Sequence, residues 1–200
     1  MSYLFICLLK PLLYLIFRPK LYGAKKNLAP KGKAIFICNH LNMLDPVVIA
    51  LVSPRIVHFM AKKELFKSKL LALFFKSAFV FPVDRGTADL KSLKNALKLL
   101  EKGKVFGIFP EGRRMVADRM DEFELGTAFI AMRSGAPVIP LYIKNDSFGR
   151  GKRVRMIVGE PMYAADSAMN VSRRENEVIF MQRMKNAMNA LQKELEDKCS

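Results

Sequence analysis

The sequence predicts an α/β fold: one domain built on a mostly parallel, mixed sheet covered by helices, preceded by an N-terminal apolar helical segment suited to anchoring at a membrane. Three observations point there. Short apolar runs alternate with stretches of helical periodicity, the pattern of a buried sheet with helices on its faces. A chain of 200 residues suits one hydrophobic core. Finally, 51% of the residues are hydrophobic, yet 34 Lys and Arg stand against 18 Asp and Glu, a formal net charge of +16. An oily, basic chain suits contact with anionic lipid, although charge alone serves nucleic acid equally well.

The first element, residues 1–17, is apolar apart from Ser2 and Lys10, contains Pro11, and is followed by Arg18, Lys20, Lys25 and Lys26. As a helix it reaches only about 24 Å, short of a hydrocarbon core of about 30 Å. Its basic residues follow the apolar run, the reverse of a secretory signal. The expected arrangement is an in-plane anchor over residues 1–26, with Leu4, Phe5, Leu8, Leu9, Leu12, Leu13, Leu15, Ile16 and Phe17 in the acyl region and the cations among headgroups. Packing of the same helix on the core is the competing reading.

Residues 27–200 carry the remaining elements. AIFIC (34–38) reads as a strand, followed by a helix through PVVIALV. IVHFMA (56–61) precedes the helical pattern ELFKSKLLALFFK, and FVFPV (79–83) precedes a helix expected over Ala88–Lys102, with Thr87 or Asp89 as cap and Gly103 as stop. VFGIF (105–109), a basic loop, the helix GTAFIAMRSG, PVIPLYI (137–143) and VRMIVG (154–159) complete the strand pattern. Near the C-terminus Met181, Met184, Met188, Leu191 and Leu195 form one apolar helical stripe, read as core packing, with an oligomer seam or a second membrane contact as the alternatives.

Several chemistries are excluded early. Cys7, Cys38 and Cys199 are odd in number and widely spaced, without a Cys/His ligand pattern, so neither a disulfide scaffold nor a metal site is expected. Nucleophile-elbow, Walker and dinucleotide fingerprints do not occur. With only His40 and His58, an imidazole base has two candidates, and His58 lies inside a strand pattern.

Asn39 and His40 lie just past a strand end, with Asp45 five residues after His40. A carboxylate near an imidazole can hold its tautomer and stabilise the imidazolium formed when it accepts a proton. Two further strand ends carry basic segments: FPVDRG with Arg85, and FPEGRR with Glu111, Gly112, Arg113 and Arg114. Glycine admits close approach of a ligand to backbone and arginine forks onto phosphate oxygens, so an anionic phosphate is the implied partner.

In these motifs the chain resembles the glycerolipid acyltransferases, best known as 1-acylglycerol-3-phosphate acyltransferases, over about residues 30–162. The Asn-His motif with its Asp is matched by Asn39, His40 and Asp45; the Phe-rich strand ending in Arg by FPVDR with Arg85. Phe-Pro-Glu-Gly-Thr-Arg-Ser is matched by Phe109-Pro110-Glu111-Gly112-Arg113-Arg114-Met115, and the proline-bearing strand by Val138-Ile139-Pro140-Leu141. Arg113 and Met115 depart from the usual Thr and Ser, and Glu124 stands where relatives often carry a basic residue.

The resemblance implies that residues 27–200 form an acyltransferase domain working without cofactor or metal. His40 is then general base and Asp45 its orienter, while Arg85 and Arg114, with Glu111 and Gly112, hold the phosphate of lysophosphatidic acid. Acyl-CoA or acyl carrier protein is the implied donor, on the cytoplasmic face of a membrane to which the protein attaches peripherally or monotopically. No nucleic-acid partner is expected, since Trp is absent and the Phe residues fall in core-like runs. Acylation of another polar lipid, or non-catalytic lipid binding, are the alternative readings.

Overall fold

The computed structural model describes residues 2–69, 72–73, 75, 79–83, 90–112, 123–148, 151–166 and 172–199, with side chains from residue 10 onward. In chain order the elements are α1 (Ser2–Phe17), β1 (Lys20–Gly23), β2 (Ala34–Cys38), α2 (Asp45–Val52), β3 (Val57–Lys62), β4 (Val80–Val83), α3 (Leu90–Glu101), β5 (Val105–Ile108), α4 (Leu125–Ser134), β6 (Val138–Ile143), β7 (Arg155–Val158) and α5 (Arg173–Asp197).

The strands form one sheet in the order β1-β7-β6-β2-β5-β3-β4. All neighbours run parallel except β6 and β7, which are antiparallel. The central strands are continuous apolar runs because both faces are covered. On one face Ile35, Ile37 and Phe106 pack with Ala96 and Leu100 of α3, Ala128 and Ile130 of α4, and Phe180, Met184, Met188 and Leu195 of α5. On the other, Ala34, Phe36, Cys38, Val105 and Phe59 meet Val48 and Ile49 of α2, with Phe17 and Leu13 of α1. The methionine and leucine stripe of α5 is therefore core. The helix starts at a capping box in which the Ser172 hydroxyl accepts the Glu175 N–H and the Glu175 carboxylate accepts that of Ser172.

Two ranges differ from the sequence expectation. The strand β1 lies within residues 1–26, so the sheet extends into the segment read as the anchor; it pairs with β7, far away in the chain. The pattern ELFKSKLLALFFK begins as a 3-10 turn, Lys63–Phe66. The expected caps Thr87 and Asp89 lie outside the described residues.

The chain leaves α1 at the end of the sheet where β2 finishes, since the N–H of Val154, just before β7, donates to the Phe17 carbonyl at 2.9 Å. Lys10 reaches the carbonyl of Ser53 at the far end of α2 at 3.4 Å, so α1 runs antiparallel to α2. Leu12, Leu15 and Ile16 project into solvent, Leu15 with 73% of its surface exposed. Among the described residues no helix is long and apolar enough to cross a membrane.

At the opposite end of the sheet Arg55 joins three segments. Its guanidinium donates to the carbonyls of Pro30 at 2.7 Å, of Gly32, and of Gly103 at 2.8 Å. The stretches that lead into β2, β3 and β5 are thereby tied together.

Candidate active site

The carboxyl ends of parallel strands are where open α/β sheets gather reactive groups. Here β2 and β5 lie side by side in the middle of the sheet, with Ile37 opposite Ile108. The loops after them carry four of the six residues expected to do chemistry or bind phosphate: His40 and Asp45 after β2, Glu111 and Gly112 after β5. The other two, Arg85 and Arg114, lie outside the described residues, as does Arg113.

Asn39, fully buried, continues the pairing of β2 with β6 after the strand itself has ended. Its side-chain N–H donates to the Ile143 carbonyl at 2.9 Å, and its oxygen accepts the Ile143 N–H at 2.8 Å. The backbone entering His40 is thus pinned to the neighbouring strand. In the sequence Asn39 stands only as part of the Asn-His motif, because its partner is 104 residues away.

Beyond it the chain turns tightly onto α2. One oxygen of Asp45, Oδ2, accepts the backbone N–H groups of Leu41 and Asn42, each at 2.7 Å, and contacts His40 Nδ1 at 2.8 Å. The Asn42 side-chain oxygen accepts the Leu44 N–H at 3.1 Å. Since a carboxylate only accepts, Nδ1 carries the imidazole proton and Nε2 presents its lone pair. Asp45 is wholly buried, at the first turn of α2, where a negative charge is favoured by the helix dipole. Its second oxygen, Oδ1, has no partner among the described residues.

The imidazole is also held from its face. The Phe109 ring stacks on it at 4.2 Å between centroids and 20° between planes, and Phe59 lies behind Phe109 at 6.0 Å and 14°. Phe109 opens the segment Phe109-Pro110-Glu111-Gly112, which is closed by the Gly112 N–H donating to the Phe109 carbonyl at 3.1 Å. Gly112 adopts φ of +65°, the left-handed region that favours glycine. The Glu124 carboxylate fills the space a side chain at 112 would need, and the Glu124 N–H donates to the Pro110 carbonyl at 2.7 Å. Glu111 is buried beneath this turn.

Cys38, the last residue of β2, is the nearest thiol. Burial pushes its ionisation well above the usual range, and the carboxylates of Asp45 and Glu111 push it further. A thiol so held stays protonated and is a poor nucleophile. His58 sits on β3, edge-on to Phe79 at 5.4 Å, its pKa lowered by burial and secondarily by Lys104. Neither residue joins the His40 cluster. Among the described residues no group of three or more His, Cys, Asp or Glu side chains is arranged to hold a metal.

An imidazole with a fixed carboxylate partner on Nδ1 and no partner on Nε2 among the described residues can withdraw a proton from a hydroxyl. Comparison with known proteins bears on which chemistry this serves. The chain is similar to the 1-acyl-sn-glycerol-3-phosphate acyltransferase of Bacillus subtilis, 35% identical over 185 residues that make up 90% of this chain and 88% of that one. It is 30% identical over 116 residues to the 1-acyl-sn-glycerol-3-phosphate acyltransferase of Limnanthes alba, matching 56% of this chain and 41% of the plant protein. In fold it resembles the 1-acyl-sn-glycerophosphate acyltransferase of Thermotoga maritima, with a TM-score of 0.66 at 19% identity, covering 91% of this chain and 72% of that one. The acyltransferase family model matches residues 21–144, a stretch that contains β2, β5 and the loops that follow them, and the chain therefore belongs to the acyltransferase family.

Proposed function

We propose that this acyltransferase is a 1-acyl-sn-glycerol-3-phosphate O-acyltransferase in which His40 is the general base. The observation that carries the proposal is the 2.8 Å contact of His40 Nδ1 with Asp45, which leaves Nε2 to accept a proton. The names of the Bacillus and Limnanthes relatives support the acceptor. In the proposed reaction Nε2 takes the proton of the free glycerol hydroxyl of lysophosphatidic acid as its oxygen attacks the thioester carbonyl. The tetrahedral intermediate collapses, the carbon–sulfur bond breaks, and the imidazolium returns the proton to the departing thiolate. The products are phosphatidic acid and a free thiol, of coenzyme A or of an acyl carrier protein, and neither cofactor nor metal enters the balance. Asp45 stabilises the transient imidazolium. Arg85 and Arg114 are assigned to the acceptor phosphate, with Glu111 and Gly112 shaping the turn around it.

The attachment proposed is peripheral or monotopic, on the cytoplasmic face of an anionic membrane, through residues 1–26, while residues 27–200 do the chemistry. Its support is the solvent-facing row Leu12, Leu15 and Ile16 on α1, with Arg18 and Lys20 immediately after it. Leu13 and Phe17 turn the other way, into the core, so they brace the anchor on α2.

One observation favours a second acceptor. The Glu124 carboxylate lies against Gly112, and a negative charge there opposes a phosphate, which suits a lysolipid with a different polar headgroup. The deciding experiment offers purified wild type and His40→Ala an oleoyl thioester, on coenzyme A and on carrier protein, with a panel of lysolipids, and detects diacylated product by mass spectrometry. Product from lysophosphatidic acid with wild type alone supports the proposal. Product from a phosphate-free acceptor instead removes Arg85 and Arg114 from their assigned role, and equal product from the folded variant removes His40 from the chemistry.

A further inference from the structure

We propose that Gly107, Phe59 and Phe109 form a positioning stack that sets the plane of the His40 imidazole, with the missing side chain at Gly107 as its foundation. The inference rests on His40 acting as the base. The hydrogen bond from Nδ1 to Asp45 fixes one direction of the ring but leaves it free to tilt about that bond. Contact with the Phe109 face, at 4.2 Å and 20°, removes that freedom. Phe109 is half-buried and needs support of its own, which the nearly parallel Phe59 ring supplies at 6.0 Å.

Phe59 can lie there only because of Gly107. The two residues are register partners across β3 and β5. A Cβ placed on Gly107 would come within 2.8 Å of Phe59 Cζ and closer still to Cε1 and Cδ1. Nothing in the backbone asks for glycine here: position 107 is in the middle of a buried strand and is not among the residues with positive φ. Glycine in a strand interior weakens it, and one typical reason for its presence is close approach by a neighbouring group. The three residues act through His40 and touch no reacting atom, so they are positioning residues.

The test uses the fact that the chain has two histidines, His40 and His58. In proton NMR of the full-length protein in detergent, with His58→Gln to assign the spectrum, the His40 ring protons are expected upfield of free imidazole, shielded by the Phe109 face. Gly107→Ala should shift them and lower kcat by about tenfold or more, while KM for both substrates stays within about twofold. Adding Phe59→Leu to Gly107→Ala makes room for the new methyl group but removes the ring that supports Phe109, so the resonance should stay displaced and kcat should stay low. Phe109→Leu, which removes the stacking face without adding bulk, should abolish the upfield shift and lower kcat even if Gly107→Ala does not fold. A folded Gly107→Ala or Phe109→Leu with unchanged kcat and an unmoved His40 resonance overturns the proposal, and so does a Gly107→Ala/Phe59→Leu double variant that regains both the wild-type resonance and the wild-type kcat, since the Phe59 ring would then be dispensable. The resonances are read without turnover. If they behave as described in a protein that acylates no acceptor, the stack stands and it is the base assignment that fails.

Discussion

The two ends of the central sheet are each held by one charged side chain, and they use it differently: Arg55 ties distant segments together, whereas Asp45 folds a single loop onto itself. Where the strands begin, Arg55 spends its guanidinium on loop carbonyls of residues 30, 32 and 103. Where they finish, Asp45 takes two backbone N–H groups and the imidazole on a single oxygen, and its other oxygen has no partner among the described residues. At the first end the bonds all go to backbone carbonyls. The second concentrates its bonds on one oxygen, and what it holds in place is a ring nitrogen with a lone pair to offer.

Exchanging the groups involved separates the two roles experimentally. Under the proposed function, His40→Ala should lower kcat by about 10²- to 10⁴-fold, the range for a general base, with the thermal midpoint nearly unchanged. Asp45→Asn keeps the size of the side chain but no longer fixes the tautomer, so a loss of at least about tenfold in kcat should accompany lower stability. A variant that loses stability and keeps its turnover would make Asp45 a loop brace like Arg55. At the other end Arg55→Met should lower unfolding free energy by about 1 to 3 kcal/mol in denaturant titration, leaving kcat per folded molecule intact. Any specific loss of turnover there would erase the distinction between the ends.

The smallest effect concerns His58, between the two ends. Burial and then Lys104 lower its pKa from 6.5, so as pH falls the unfolded chain takes up this proton first. The contribution of His58 to stability is therefore full above about pH 6.5 and is lost as pH falls below it toward the lowered value. Thermal midpoints at about pH 7.5 and about pH 5.5 should differ less in His58→Gln than in wild type.

How much of this was legible beforehand follows from the range over which each feature is encoded. The buried strands β2 and β6 announce themselves as unbroken apolar runs, and the spacing of His40 and Asp45 is local enough to read directly. Ser172 and Glu175 are equally local, and the capping box was available from the sequence pattern alone. By contrast β1 is four residues long, only half-buried, and defined by a partner near the other end of the chain. The pairing of Asn39 with Ile143 and the space demanded at Gly107 depend on which strands are neighbours and in what register, which no local window contains. The site was legible as a set of residue types; the means of holding them still was written in long-range pairing.

The pairing of β1 with β7 has a consequence for the order of events during synthesis. The apolar helix α1 and the strand after it leave the ribosome well before β7, the strand they need, which emerges only after about 130 further residues have followed. Until then β1 has no partner, and the sheet edge meant to receive it does not exist. A nascent chain of this design presents a long apolar segment to its surroundings before the domain can shelter it, so a lipid surface within reach competes for α1 at a stage when the folded protein offers nothing in return.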